Sequence, residues 1–261
     1  MKNSSISVVV PIFNESENII ELNKRLLKVL IKCNHYEIIY VNDGSNDDSL
    51  EILKKLSFKN NSIKIISLSR NFGQQTAYKA GIEFVTKDIT VLMDGDLQDP
   101  PELIIKFVRN WENGYDFVYG TRDKRQEFFV MRFIRKLFYK LINIGSNNKI
   151  PMNISDYQLI DKRLLKEILG IEDKTPFIRT IPFFKTDNHK GISYEWKKRR
   201  VGKSKTSFQH YFDTAINGLL TVTNAPFRLI LIIGMFLSMI AIFLAFYNFI
   251  YLFFYRPDIS R

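Results

Sequence analysis

The sequence predicts an α/β fold, in which helices cover both faces of a mostly parallel sheet, followed by one membrane-spanning helix. Runs rich in β-branched residues alternate with segments of helical periodicity, at intervals of about 25 residues. Polar residues cluster at the end of each β-rich run. A long segment near the carboxyl end of the sequence carries no charge. These three observations define the predicted architecture.

Four strand–helix pairs are predicted in the first half. The strands cover residues 5–13, 36–45, 63–70 and 89–96, and the helices cover 15–33, 47–58, 74–87 and 101–111. Strands joined by helical crossovers run parallel, and ligands of such sheets gather at the carboxyl ends of the strands. The polar clusters at 14–15, 42–45, 69–71 and 94–99 are therefore predicted to share one cleft.

Residues 91–101 (VLMDGDLQDPP) place carboxylates at the end of the fourth predicted strand. Asp94 and Asp96 alternate along the chain, so both side chains can point the same way if the strand pleat persists. Two carboxylates at such a short distance repel each other unless a cation compensates their negative charge. Mg²⁺ or Mn²⁺, which bind oxygen ligands, suit this position. Gln98 can add a neutral oxygen, and substrate phosphates can fill the remaining positions. The segment therefore predicts a metal–diphosphate site.

Other ligand motifs do not fit the sequence. The D-x-D pair alone is a weak signal, because such pairs also occur in solvated loops. An EF-hand would need glycine where Asp99 stands. The GKS at 202–204 lacks the leading glycine of a phosphate loop, since Lys197 occupies that position. No G-x-G-x-x-G follows the first strand, which argues against a dinucleotide-binding enzyme.

Charge points to anionic partners. The 261 residues carry a formal charge of +11, which favours nucleic acid, lipid headgroups or a phosphorylated substrate. Residues 190–205 hold seven basic residues and one acid, Glu195. This segment suits either donor phosphates or anionic lipid next to an anchor. Nucleic acid is not expected, because no stacking platform or groove-reading motif accompanies the charge. The single cysteine, Cys33, excludes an internal disulfide and fits a reducing compartment.

The charge-free segment covers residues 229–255. As a helix it would be about 40 Å long, enough to cross a bilayer, whereas a buried core helix rarely runs so far without a charge. Arg228 and Arg256 bracket it, and the Lys and Arg residues before it predict a single crossing with the preceding domain in the cytoplasm. Two amphipathic stretches, residues 121–143 and 207–222, are predicted to lie at the membrane surface.

The motifs VVVPIFNESENI, YVNDGSNDDS, SLSRNFGQQTAYKAGI and VLMDGDLQDPPELI occur in that order, and YGTRDKR, SDYQLIDKR and RRVGKSK follow them. Together they resemble the inverting family 2 glycosyltransferases of GT-A fold. More narrowly, the sequence is similar to polyprenyl-phosphate sugar transferases of the dolichyl-phosphate mannose synthase and undecaprenyl-phosphate glucosyltransferase type. The resemblance covers nearly the whole chain. It implies a nucleotide-diphosphate sugar as donor, a polyprenyl phosphate as acceptor, and Mg²⁺ or Mn²⁺.

The resemblance also implies roles for individual residues. Nucleotide-sugar contacts fall on Pro11, Asn14, Glu15, Asp43, Asp94 and Ser204, and metal ligation on Asp94, Asp96 and Gln98. Catalytic roles fall on Asp96, Arg122, Arg199 and Lys205. Arg122 would face the diphosphate or the acceptor phosphate, and the segment with Arg199, Ser204 and Lys205 would close over the donor. Acceptor contacts fall on Arg132, Arg135 and Asp156, although capping a helix is an equal alternative for Asp156.

The implied domain plan is a catalytic domain (1–205), an amphipathic juxtamembrane segment (206–227), a transmembrane helix (228–256) and a short tail (257–261). A lipid phosphate is already anionic and needs no general base, so one displacement would invert the anomeric centre. A hydroxyl acceptor, or a sugar-nucleotide-binding protein with impaired catalysis, remains an alternative. His35, His189 and His210 lie outside the motifs and are expected to be structural or exposed. The sugar, the nucleotide and the oligomeric state stay open.

Overall fold

The computed structural model describes residues 4–122, 150–151, 153–171, 177–195 and 225–255. Its strands are β1 (Ser5–Ile12), β2 (His35–Asn42), β3 (Ile63–Ser67), β4 (Ile89–Leu92), β5 (Phe117–Arg122), β6 (Ile154–Asp161) and β7 (His189–Tyr194). Its α-helices are α1 (Ser16–Leu30), α2 (Ser49–Lys59), α3 (Gln74–Ile82), α4 (Ile104–Glu112), α5 (Lys162–Leu169) and α6 (Ala225–Tyr255). Short 3₁₀ helices cover Pro101–Leu103 and Ile181–Phe184.

The strands form one seven-stranded sheet in the order β3-β2-β1-β4-β6-β5-β7. β3, β2, β1 and β4 run parallel, as predicted, and β7 runs parallel to β5. β6 is antiparallel to both of its neighbours, β4 and β5. The expectation of a mostly parallel sheet is confirmed, with one reversed strand between two parallel groups.

This topology decides which residues meet at one edge of the sheet. The carboxyl ends of β1, β2, β3, β4, β5 and β7 share an edge, and the reversed strand β6 brings its amino end to the same edge. Leu92 of β4 pairs with Gln158 of β6. Continuing that antiparallel register places Asp156 alongside Asp94. Residues far apart in the chain are therefore brought together at this edge.

Helices cover both faces of the sheet, as predicted. One apolar cluster joins Val8 and Val10 of β1 to α1, α2 and α4, with Leu26 and Phe107 among its fully buried members. The opposite cluster joins Val9 to α3 and α5. Consecutive β1 residues thus face opposite layers, which is the strand periodicity of a sheet buried on both sides.

The charge-free segment is one helix, α6, which begins at Ala225 and therefore slightly before the predicted boundary at Arg228. Ile230–Phe254 spans 25 residues with a mean hydropathy of 2.6, and none of that window is buried. By length and composition the helix can cross a membrane. The predicted amphipathic helix at 121–143 is wrong at its start, because Thr121 and Arg122 end strand β5. Residues 123–143 and 207–222 lie outside the described residues.

A buried ionic junction ties the start of β2 to its neighbours. Glu37 Oε1 accepts hydrogen bonds from the Ser7 hydroxyl at 2.6 Å and from the Thr86 main-chain N–H at 2.7 Å. Lys64 Nζ of β3 lies 2.7 Å from Glu37 Oε2. Burial acts to raise the pKa of Glu37, but these donors hold it below its ordinary value. The junction fixes β1, β2, β3 and the turn before β4 at the edge of the sheet opposite the polar clusters.

Replacing Glu37 by glutamine should lower the free energy of unfolding by about 1–2 kcal/mol at neutral pH, because the Lys64 partner is lost. A carboxylate with a depressed pKa contributes stability above its unfolded pKa, and that contribution disappears as the pH falls through the folded pKa. The difference between wild type and Glu37→Gln should therefore shrink below about pH 4. Urea unfolding of both detergent-solubilised proteins at several pH values measures this difference in the free energy of unfolding.

Glu51→Gln is the matched control for this prediction. Glu51 pairs with Lys54 on α2, and both side chains are more than half exposed. Exposed pairs of this kind contribute little, so the control should unfold as the wild type does. A difference for Glu37→Gln that stays constant from neutral to acid pH would contradict the junction's ionic role.

Candidate active site

The loop after β1 is fixed by its own polar side chains. Asn14 adopts a positive φ of 53°. Its N–H donates to Ser45 Oγ at 2.9 Å, and its Oδ1 accepts from the Asn46 N–H at 2.7 Å. The Glu15 side chain is buried and accepts from Asn18 Nδ2 at 2.6 Å. Asn14 therefore joins the loops after β1 and β2 at the cleft. The predicted nucleoside contacts of Asn14, Glu15 and Pro11 remain predictions.

Asp43 anchors the loop between β3 and α3. The carboxylate is buried and accepts hydrogen bonds from the main-chain N–H groups of Phe72 at 2.8 Å and Gly73 at 3.0 Å. Gly73 precedes α3 with a φ of 91°, which favours glycine there. Asp43 thus positions the amino end of α3. Its predicted contact with a nucleotide base remains a prediction.

Asp94 is surrounded by donors and by other carboxylates. Gln74 Nε2 and the Tyr78 hydroxyl of α3 both donate to its Oδ1, the latter at 2.8 Å. Its Oδ2 lies 3.8 Å from Arg122 Nη2. Burial raises the pKa of Asp94 well above its ordinary value, and nearby carboxylates add to the rise while Arg122 opposes it. A cation bound next to Asp94 would therefore stabilise the ionised form of its carboxyl group.

Asp96 and Gln98 lie in a turn. β4 ends at Leu92, so the strand pleat invoked for the D-x-D pair does not reach these residues. Leu97 has a φ of 62° and a buried side chain, and the Gln98 N–H donates to Asp96 Oδ1 at 3.1 Å. The loop conformation, rather than strand alternation, thus sets the directions of Asp94 and Asp96.

Asp156 is engaged by an arginine that the sequence analysis did not single out. Arg179 Nε donates to Asp156 Oδ1 at 2.8 Å, Arg179 Nη2 contacts Oδ2, and Gln75 Nε2 donates to Oδ1 at 3.0 Å. Burial acts to raise the pKa of Asp156, but the Arg179 guanidinium holds it below its ordinary value. The helix-capping alternative for Asp156 is wrong, because Asp156 lies within β6 and Asp161 caps α5 through the Arg163 N–H.

Asp99 and Tyr194 were also missed as site residues. The Tyr194 hydroxyl at the end of β7 donates to Asp99 Oδ1, and Arg122 Nη2 lies 3.5 Å from the same oxygen. Asp99 is fully buried, and burial raises its pKa while Arg122 opposes the rise. Among the described residues, the carboxylates of Asp94, Asp96, Asp99 and Asp156 therefore lie near one another, with Arg122 and Arg179 among them.

The donor set suits a hard divalent cation. Carboxylate and amide oxygens are the ligands that Mg²⁺ and Mn²⁺ use, and a carboxylate-rich edge favours positive charge. Within the described ranges, no three His, Cys, Asp or Glu side chains form a ready metal cluster. A cation held by Asp94, Asp96 and Gln98 would therefore keep positions for ligands from a substrate, as Mg²⁺ sites commonly do.

Five predicted site residues lie outside the described part of the chain, and the two described histidines lie away from the cluster. Arg132, Arg135, Arg199, Ser204 and Lys205 lie outside the described residues, so their roles stay predictions. His35 is exposed on the surface. His189 is half-buried, and the centroid of its ring lies 5.1 Å from that of Phe183, in agreement with a structural role. His210 lies outside the described ranges.

Residues 7–169 match the sequence model of glycosyl transferase family 2. The chain belongs to this family. A glycosyltransferase of Synechocystis is 36% identical over 239 residues, which cover 91% of this chain and 75% of the relative. A bactoprenol glucosyl transferase of Shigella phage SfX is 31% identical over 238 residues, or 90% of this chain and 78% of the relative. This family 2 protein is therefore a glycosyltransferase, as the motifs predicted.

Solved structures confirm the GT-A fold. Glucosyl-3-phosphoglycerate synthase from Mycobacterium tuberculosis, in complex with phosphoglyceric acid, has a TM-score of 0.60 and 19% identity. The match covers 84% of this chain and 80% of that chain. A second structure of the enzyme, with Mn²⁺, UDP-glucose and phosphoglyceric acid, has a TM-score of 0.57 and 19% identity. This match covers 82% of this chain and 76% of that chain.

Replacing Arg179 by glutamine should lower the free energy of unfolding by about 2 kcal/mol, because it leaves the buried Asp156 carboxylate without its charged partner. Adding Asp156→Asn to this variant should restore much of the loss, since the carboxylate that lost its partner is then replaced by a neutral amide. Urea unfolding of the wild type, both single variants and the double variant measures the coupling.

Arg163→Gln provides the control for this cycle. The Arg163 side chain is 83% exposed, although it pairs with Asp116 and Asp161. Its replacement should leave stability unchanged within error. Losses from Arg179→Gln and Asp156→Asn that simply add would show that the two side chains do not act as a pair.

Proposed function

We propose that this family 2 glycosyltransferase moves a sugar from a nucleotide-diphosphate sugar to a polyprenyl phosphate in a membrane, and so feeds cell-envelope glycan synthesis. The observation that carries the proposal is the 31% identity to a bactoprenol glucosyl transferase over 90% of the chain. The apolar helix α6 supports it, because such a helix would hold the domain next to a lipid acceptor.

A divalent cation, Mg²⁺ or Mn²⁺, is part of the proposal. The M. tuberculosis synthase of the same fold was crystallised with Mn²⁺ and UDP-glucose. In this chain Asp94, Asp96 and Gln98 would hold the ion, which would offset the burial and the neighbouring carboxylates that raise the pKa of Asp94. Such an ion supplies positive charge that stabilises a leaving diphosphate.

The reaction needs one displacement. An oxygen of the acceptor phosphate forms a bond to the anomeric carbon, while the bond from that carbon to the diphosphate oxygen breaks. The electron pair of the broken bond leaves with the nucleoside diphosphate, no proton is transferred, and the anomeric centre inverts. Arg122, which lies beside Asp94, is proposed to stabilise the charge that develops on the leaving diphosphate. Arg199 and Lys205 are proposed to act on the same charge.

The acceptor side is proposed to involve Arg132, Arg135 and Asp156, with the catalytic domain (1–205) on the cytoplasmic face. A hydroxyl acceptor would require a general base at the cleft. Asp156 is a poor candidate for that base, because Gln75 and Arg179 donate to it and its pKa is held low. A phosphate acceptor, which is already anionic, avoids this requirement.

The test uses membranes that carry the full chain, undecaprenyl phosphate and a panel of radiolabelled sugar nucleotides with Mg²⁺ or Mn²⁺. Label should move into the organic phase with at least one donor, and a chelator should stop the transfer. Asp94→Asn and Asp96→Asn should each lower the rate at least about a hundredfold. Radioactivity that stays water-soluble with every donor would contradict the lipid-phosphate acceptor.

Asp187→Asn is the matched control. Asp187 is an exposed carboxylate just before β7, at the end of that strand opposite the cleft. Its replacement changes the same charge and should leave transfer at the wild-type rate. Equal losses for Asp187→Asn and Asp94→Asn would show that net charge, rather than a cation site, accounts for the effect.

A further inference from the structure

Asp99, Tyr194 and Arg122 form a closed ring of contacts beneath the cleft. The Tyr194 hydroxyl donates to Asp99 Oδ1, and Arg122 Nε donates to the Tyr194 oxygen at 3.3 Å. Arg122 Nη2 closes the ring at 3.5 Å from Asp99 Oδ1. Asp99 therefore contacts Arg122 both directly and through Tyr194.

The packing around Tyr194 holds the ring in place. The Tyr194 ring crosses Gly120 of β5, where a Cβ atom would lie 2.6 Å from Tyr194 Cε1 and 2.8 Å from Ser155 Oγ. On another side the Tyr157 ring meets it edge-on, with centroids 6.1 Å apart. The glycine of the G-T-R motif thus allows Tyr194 to reach Asp99.

A buried carboxylate at position 99 is energetically unfavourable if its side chain only fills space. It is fully buried, and its Oδ2 accepts no hydrogen bond from any residue in the described ranges. A buried polar oxygen without a partner destabilises a fold by about 1–3 kcal/mol. An apolar side chain would avoid that penalty. The carboxylate therefore serves a purpose other than filling space.

That purpose is suggested by the two carboxylates that flank Arg122. Asp94 Oδ2 lies 3.8 Å from Arg122 Nη2, and Asp99 Oδ1 lies 3.5 Å from the same nitrogen. Without Asp99, the guanidinium would be drawn towards Asp94. We propose that Asp99 is a positioning residue, which holds Arg122 directly and through the Tyr194 hydroxyl in the place where it stabilises the leaving diphosphate. The inference rests on the proposed function.

The test is a mutant cycle in the lipid-transfer assay, using the donor that wild type turns over. Asp99→Asn should lower kcat by about tenfold to a hundredfold, because a misplaced group reduces stabilisation of the transition state. Tyr194→Phe keeps the ring and should lower kcat by about tenfold. The donor KM should change by less than about threefold in both, since the affected contact matters mainly in the transition state.

The decisive variant combines Asp99→Asn with Arg122→Gln. If Asp99 acts through Arg122, the double variant should be no slower than Arg122→Gln alone, because residues that act as one unit are not additive. Losses that multiply would overturn the inference, as would a wild-type kcat for Asp99→Asn or a loss confined to KM. Should Asp99→Asn fail to fold, Tyr194→Phe with Arg122→Gln decides by the same criterion.

Tyr119→Phe is the matched control. Tyr119 is another buried tyrosine, on the neighbouring strand β5, and its ring packs against Phe183 in the opposite apolar layer. It should keep the wild-type kcat. Failure of the wild type with every donor would contradict the proposed function and this inference together, whereas transfer with multiplicative losses would contradict the inference alone.

Discussion

The structure depends on the balance of charge at one edge of the sheet. Four carboxylates, those of Asp94, Asp96, Asp99 and Asp156, meet there with the guanidinium groups of Arg122 and Arg179. Buried carboxylates that lie so near one another are tolerated only with compensating charge or hydrogen bonds. α3 supplies the hydrogen bonds from Gln74, Gln75 and Tyr78, and the sheet supplies the arginine next to Asp94. The fold around the cleft serves largely to hold these charges in register.

The two arginines leave their carboxylates in different states. Arg179 engages Asp156 through two nitrogens, and the pKa of Asp156 falls. Arg122 is shared at longer distances between Asp94 and Asp99, and the pKa of both carboxylates stays raised. One side of the cleft is therefore neutralised by the protein itself. The other side retains the demand for positive charge that the proposed cation would meet.

The first half of the fold was predictable because local patterns decided it. β1 to β4 and the helices between them follow hydrophobic periodicity, and the ends of these strands converge as a parallel sheet requires. β6 was not predicted as a strand, because its buried residues include Asp156 and Gln158, which break the apolar pattern. Its reversed direction depends on pairing with β4, a long-range contact that periodicity does not report.

The same limit applied to the site. Asp94, Asp96 and Gln98 were predicted as ligands because a D-x-D-x-Q segment at a strand end has a chemical meaning on its own. Arg179 lies outside every motif that was recognised, and only its contact with Asp156 reveals it. Asp99 was noted only as an obstacle to an EF-hand. The sequence signal available for Asp99 was its place directly after the D-x-D-x-Q segment.

The reversed strand β6 has a consequence for how the protein is made. Synthesis proceeds from the amino end, so β1 to β4 leave the ribosome before β6 and β7 exist. Until β6 pairs with β4, neither Asp156 nor the Tyr194 ring can take its place, and the nascent half-sheet exposes β4 as an open edge. The carboxylate-rich edge of the sheet is thus completed late, when synthesis is already close to the apolar helix α6. Completion of this charged edge and emergence of the helix that can cross a membrane are then neighbouring events in the life of the nascent polypeptide.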